Sequence, residues 1–367
     1  MGRTTDVFVV GGGPAGLAAA IAARRRGLDV IVADGVAPPI DKPCGEGLMP
    51  DTLSALRELG VEIHPAEGFA FRGIRFVDEG HEVDGSFPLG QGIGLRRPLL
   101  HQRMIEQAQR VGVTFMWNAP VSGLSRDGAL VGGKTITARW IIGADGIRSR
   151  VRRWCGLETP IVTQPRYAFR RHYHIDPWSD CMEIHWGRKS QAYVTPVGHG
   201  DVCLVLISLD PGLRSGSIAA EFPKLAKRLA SADSNVERGA VTLTCGLRRV
   251  FRGDVALIGD ASGSVDAITG EGLCLSFHQA TALADALAAG DLSRYQAAHR
   301  RLARRPTLMG RMLLLLDRQP NVRHRAMRVL ASHPDLFARL LAVHVGATSP
   351  KHFAATGVLL GWRLIAA

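Results

Sequence analysis

The sequence predicts an α/β fold, α+β overall: a Rossmann-like domain, interrupted by an inserted antiparallel sheet and followed by a helical C-terminal region. Three observations predict it. A strand, a glycine turn, a helix and a second strand open the chain within residues 6–34. Residues 156–250 alternate apolar and polar positions over long segments, and the stretch from Leu292 to Val343 carries leucine stripes at helical spacing. The 367 residues, 46% of them apolar, suffice for a large core.

Asp6 to Val10 form the first apolar strand, and the alanine-rich run Leu17 to Arg26 the first helix. Asp29 to Ala33 form a second strand, which ends on Asp34; the helix between them makes the two strands parallel. Proline and glycine punctuate residues 35–50, so Gly35 to Gly47 reads as a loop laid over something. Helical patterns occupy 51–60 and 99–111, strand-like alternation 71–88, and short strands lead to Ile141-Ile142-Gly143. Ala168 to Ile175, Met182 to Trp186, Ala192 to Pro196 and Val202 to Ser208 read as a half-buried antiparallel sheet. A buried strand at 255–260 and a long helix at 272–289 return to the first domain. The nucleotide-binding domain is therefore discontinuous, over 1–70, 96–155 and 250–300. The sheet domain takes 71–95 and 156–249, and a helical region 301–367.

The six cysteines are scattered without a CxxC pair, so no disulfide framework or zinc ribbon is expected, and a reducing cytoplasmic setting fits. No basic leader precedes the first strand and no apolar run is long enough to span a bilayer, so secretion is not expected. The net charge of +12 is carried by arginine clusters at 24–26, 148–153 and 300–305, without interleaved aromatics or a nucleic-acid motif. They read as solvated helix faces, and nucleic acid is not an expected partner. The runs Met312 to Leu316, Leu336 to Val343 and Val358 to Trp362 either pack on the first domain or make peripheral contact with the cytoplasmic membrane face.

Gly11-Gly12-Gly13-Pro14-Ala15-Gly16 is a GxGxxG following a strand and opening a helix. Gly11 makes the tight turn, Gly13 lets backbone N–H groups approach a pyrophosphate, and Gly16 lets helix and strand pack closely. The helix N-terminus adds positive partial charge, and Asp34 stands where a carboxylate accepts a ribose hydroxyl. This unit by itself suits NAD as well as FAD.

Two further motifs separate them. Ile142 to Arg152, with Gly143-Ala144-Asp145-Gly146 at its head, resembles the second FAD fingerprint of the p-hydroxybenzoate hydroxylase superfamily, and Ala256 to Gly263 resembles the third. Order and separation also match, so the resemblance spans residues 5 to about 300 and implies FAD in a glutathione-reductase-type domain. It implies that Asp260, after Gly259, holds the flavin ribitol, that Asp145 and Gly146 lie near the pyrophosphate and organise the adjoining loop, and that Arg97 faces the cofactor. Thr269-Gly270-Glu271-Gly272-Leu273 is similar to the geranylgeranyl reductase branch, as is Pro43-Cys44-Gly45-Glu46-Gly47. Gly270 and Gly272 permit close approach to the flavin ring, towards which the following helix aims its positive end. The family's usual proline is Ala267 here. By the resemblance, Cys44 and Gly45 lie over the flavin; Cys44 is either a proton donor beside the ring or a small packed residue, and Glu46 is a second proton-transfer candidate.

His172, His174 and His185 sit on strand segments, but no carboxylate or cysteine completes a ligand set at a fitting spacing, so no metal is expected. Ser149 and Ser262 lack a nucleophile elbow. The expected activity is FAD-dependent oxidoreduction of an apolar or lipid-like small molecule, with a leaning to carbon–carbon double-bond reduction. The alternative is NAD(P)H-dependent monooxygenation, by hydroxylation or epoxidation. A halogenase is disfavoured because Tyr193-Val194-Thr195-Pro196 replaces the Trp-x-Trp-x-Ile-Pro element. A maturation partner without turnover ranks last. NAD(P)H or another donor would supply electrons; the oligomeric state is left open.

Overall fold

The computed structural model describes residues 4–78, 80–158 and 164–348. Strand β1 (Thr4–Val10) runs into the glycine turn and helix α1 (Pro14–Arg24), which has proline at its first turn and buries nine of its eleven residues. β2 (Val30–Ala33) returns parallel to β1, with Val7 opposite Val30. The connecting loop then gives way to α2 (Pro50–Glu58) and to a hairpin of β3 (Gly73–Asp78) and β4 (His81–Ser86). α3 (Arg97–Arg110) and β5 (Thr114–Met116) lead back to the first sheet.

β6 (Lys134–Gly143) lies on the other side of β1, parallel to it, with Val9 opposite Ile142. A short helix, α4 (Arg150–Trp154), follows. Four long strands make the inserted sheet: β7 (Arg166–His174), β8 (Cys181–Trp186), β9 (Ser190–Gly198) and β10 (Asp201–Ser208). They pair antiparallel in the order β7, β10, β9, β8, and β8 joins the hairpin through parallel pairing with β3. β11 (Val255–Leu257) re-enters the first sheet beside β6, so the parallel order is β11, β6, β1, β2, β5. Helices α5 (Gly272–Ala288), α6 (Leu292–Arg318), α7 (Pro320–Ser332) and α8 (Pro334–His344) complete the described chain.

The inserted sheet differs from its sequence reading. Its central strands are buried on both faces rather than one. Val194, Leu204 and Leu206 pack under short helical segments at 218–229, while Tyr193, Val205 and Ile207 belong to the cluster that includes Phe337 and Leu341 of α8. Alternation in sequence persists because the two faces meet different neighbours. α6 begins at Leu292, so it runs through residue 301, where the sequence suggested a border. No described helix is long and apolar enough to cross a membrane. The apolar run Val358 to Trp362 lies outside the described residues.

Candidate flavin and substrate site

The glycine turn is shaped by close approach. Gly11 has φ +111°, and a Cβ there would stand 2.6 Å from the Ala144 carbonyl oxygen, so the second motif lies against the first. At Gly16 a Cβ would fall 1.9 Å from the Gly11 oxygen, which seats the helix on its strand. At Gly13 nothing lies within 4 Å of the Cβ position. Gly13 is also the N-cap of α1 and offers no side-chain cap, which leaves the first N–H groups of that helix for a ligand. Pro14 is buried and Ala15 half-buried at the start of the helix. Asp34 stands at the end of β2 as expected, with its oxygens already accepting from Gly12 N–H (2.7 Å) and Val36 N–H (3.0 Å). It clamps the turn, whatever else it binds.

The Asp145 carboxylate is engaged within its own loop. It accepts from the Ser149 hydroxyl and from the N–H groups of Arg150 (2.6 Å) and Val151 (3.1 Å), so it caps α4 and organises that loop. Gly146, at φ +80°, leaves room for the Lys42 ammonium 3.8 Å from its Cβ position. Arg152 ties the second motif to the third by donating to the carbonyls of Ile147 (2.6 Å) and Ala261 (3.2 Å). Asp260 is open on one side and surrounded by protein on the others. Burial raises its carboxyl pKa, against the opposing pull of Lys42, Arg97 and Arg152. Gly259, at φ +59°, packs on Ala15.

Gly270 and Gly272 are exposed, with nothing within 4 Å of their Cβ positions, and α5 starts there without a side-chain cap. Glu271 lies between them. The left-handed turn at Gly270 (φ +66°) sends the Glu271 side chain inward, where it is 1% exposed beside Arg305 (3.3 Å) and the His344 ring (3.6 Å). Burial pushes its pKa up to about 8, with Asp51 adding to the rise and Arg305 opposing it. Leu273 packs on the core of the first domain. Where the resemblance has a proline this chain has Ala267, and the turn is held instead by Asp266. Its carboxylate accepts from Ile268 N–H (3.0 Å) and from Arg166 of β7 (3.1 Å).

The loop at 41–47 is anchored most heavily by Glu46, which is buried and held at φ +59°. One carboxylate oxygen accepts from the Arg97 N–H (2.9 Å) and the Arg170 guanidinium (3.1 Å); the other accepts from His172 Nε2 (2.7 Å). Arg170 also makes two bonds of 2.8 Å to Asp41, whose pKa that pairing lowers. Asn235 fixes the imidazole tautomer. Its Oδ1 accepts from the His172 backbone N–H (3.0 Å), so its amide nitrogen donates to His172 Nδ1 (2.8 Å). Nδ1 therefore carries the lone pair and Nε2 the proton given to Glu46. Glu46 thus staples the start of α3 to the underside of the inserted sheet. Cys44, two residues before Glu46, is half-buried, and its sulfur accepts from the Glu46 N–H at 3.4 Å, while Gly45 has open space at its Cβ position.

Sequence spacing missed this cluster because Glu46, Arg170, His172 and Asn235 are far apart along the chain. The one local signal is Arg170 and His172 two apart on a strand, which puts both on one face. The spacing argument about ligands also needs correction: a carboxylate and a cysteine do join His172, since ligand atoms of Glu46, His172 and Cys203 lie within 4.8 Å of one another. The cation among them is Arg170, and both Glu46 oxygens are already bonded. His174 is paired with Asp201 and His185 with Glu183, apart from this cluster.

FAD fits these residues. Gly13, Gly45, Gly270 and Gly272 open on empty space, two helix N-termini carry no side-chain cap, and Arg97 has a buried Nε without a hydrogen-bond partner near Asp260 and Lys42. A family model described as an FAD binding domain matches residues 4–170. A menaquinone reductase of Mycobacterium tuberculosis is 30% identical, over 79% of this chain and 78% of its own length. The chain belongs to the geranylgeranyl reductase branch of the FAD-dependent oxidoreductases. A digeranylgeranylglycerophospholipid reductase of Methanothermobacter thermautotrophicus is 28% identical, over 81% of this chain and 80% of the relative. Among solved structures, a flavoprotein/dehydrogenase from Cytophaga hutchinsonii shares the fold at a TM-score of 0.82 and 18% identity, covering 94% of this chain and 93% of that one. The branch member described here is an FAD-dependent oxidoreductase.

Proposed function

We propose that this reductase saturates carbon–carbon double bonds in the isoprenoid chain of a lipid-like molecule, such as a prenylated quinone or a prenylated glycerolipid. The observation that carries the reading is the Glu46 staple. It anchors the loop that carries Cys44 both to the start of α3 and to β7 of the inserted sheet. The named activities of the two relatives support the substrate class.

Bound FAD supplies the hydride. The chain supplies the rest. The open glycine turn and the α1 N-terminus hold the diphosphate. Asp260 and Arg97 orient the cofactor, and the α5 N-terminus favours negative charge at the ring. The inserted sheet excludes water from an apolar chain. Cys44 delivers a proton to the carbon next to the one that receives hydride and regains it from solvent, so each saturated bond gains one hydride and one proton. Its sulfur is held in place by the hydrogen bond from the Glu46 N–H. NAD(P)H or another donor resupplies electrons. The reading puts the enzyme in the cytoplasm, meeting its substrate at the cytoplasmic membrane face.

Mass spectrometry of the product tests it. Incubated anaerobically with reduced enzyme, a geranylgeranyl-bearing acceptor gains two hydrogens per bond, and Cys44→Ala slows this while flavin content holds. An acceptor that is instead recovered carrying an oxygen atom, in aerated buffer only, would establish the monooxygenase alternative.

A further inference from the structure

Helix α6 turns one face away from the body of the protein. Arg301, Arg304, Leu308, Arg311, Leu315 and Arg318 follow each other at spacings of three and four residues, which puts them in one row along the helix. Arg301, Arg304, Arg311 and Arg318 are exposed, Leu308 is 38% exposed and Leu315 52%. The other side of the helix buries Tyr295, His299 and Met309. No carboxylate stands in the exposed row, because Asp317 points inward to Arg166 (3.3 Å) and Gln191 (2.7 Å). Alongside lies a cavity of about 390 Å³, lined by Arg300, Arg304 and Arg311 together with the apolar Leu247, Val265 and Leu275.

We propose that this face of α6 docks on an anionic lipid surface. Leu308 and Leu315 enter the headgroup boundary, the arginine stems lie along it, and the guanidinium groups meet lipid phosphates, with the neighbouring cavity taking a headgroup. The net charge of +12 is of the complementary sign. A nucleic acid finds no aromatic ring in the row to stack on, and a second copy of the chain would bring arginine against arginine. The proposal supplies the surface that the membrane-side location in the proposed function requires, and rests on that location but not on the reaction.

The test is co-sedimentation of the full-length, flavin-loaded protein with phosphatidylcholine vesicles, with and without phosphatidylglycerol. The protein sediments only with the phosphatidylglycerol vesicles, and less so as salt is raised. Reversing Arg304, Arg311 and Arg318 to glutamate weakens binding by roughly tenfold or more, on the scale of several interfacial charges. Leu308→Ser with Leu315→Ser weakens binding to the same vesicles and leaves its salt dependence in place. Both variants keep the wild-type flavin content, thermal midpoint and turnover of a short, water-soluble acceptor, which separates this surface from the reaction. Wild-type binding by the arginine variant would overturn the proposal and assign docking to another part of the chain. So would the absence of vesicle binding, or a change in oligomeric state on reversing the arginines.

Discussion

Glu46→Gln tests the buried network most sharply, because the tautomer of His172 determines what the amide would meet. The new amide oxygen can still accept from the Arg97 N–H and from Arg170, but its NH2 then faces the His172 Nε2–H, donor against donor. The imidazole cannot escape by moving its proton to Nδ1, because the Asn235 amide donates there. The loss of the carboxylate beside a 2% exposed Arg170, with an unmatched donor added, corresponds to about 3–5 kcal/mol. Asn235→Asp in the same chain supplies an acceptor for Nδ1–H and frees Nε2 to accept from the amide introduced by Glu46→Gln. The double variant should therefore recover about 1–2 kcal/mol relative to the sum of the single changes. Urea unfolding followed by tryptophan fluorescence measures all four corners of the cycle, and gel filtration reports flavin retention. Strict additivity of the two substitutions would refute the tautomer and the role of Asn235.

Three other outcomes follow from the geometry. Gly13→Ala should leave the thermal midpoint of flavin-free protein near wild type while weakening FAD binding, whereas Gly16→Ala, whose Cβ would sit 1.9 Å from the Gly11 oxygen, should impair folding itself; calorimetry and flavin titration distinguish the two. Glu271 holds its proton more tightly folded than unfolded, since its pKa rises from 4.5 to about 8, so its contribution is retained at low pH and lost as pH climbs through that range. Between these limits urea midpoints of the wild type should fall more steeply with pH than those of Glu271→Gln, and equal slopes would show that Glu271 does not titrate there. Asp145→Ala should lower stability through the loss of the α4 cap, by about 1–2 kcal/mol, with a smaller effect on FAD affinity; a selective loss of FAD with stability intact would contradict this capping role.

The parts of the site legible in the sequence are those that local geometry enforces. The glycine turn announces itself because strand, turn and helix are contiguous and each glycine answers a steric demand within that unit. Asp260 and its glycine are legible only through the resemblance of Ala256 to Gly263 to the third fingerprint. The inward direction of Glu271 is not legible in the sequence, because it is set by the left-handed Gly270 and by Arg305 and His344, which lie far along the chain. The double burial of the inserted sheet went unread because one of its covers, α8, lies far from it in sequence, and nothing in the pattern of the segments at 218–229 tells which face they close. The Glu46 network was illegible for the first of these reasons. Its members are polar residues that become meaningful only when the loop at 41–47 meets β7.

The central claim, reduction of an isoprenoid double bond at a flavin next to Cys44, is tested most directly by anaerobic stopped-flow spectroscopy of the reduced holoprotein. Mixing with a geranylgeranyl-bearing quinone or glycerolipid should reoxidise the flavin rapidly, at a rate that saturates with acceptor and falls in Cys44→Ala. Reoxidation that ignores the acceptor and proceeds only with oxygen, with an oxygen atom appearing in the product, would contradict the account.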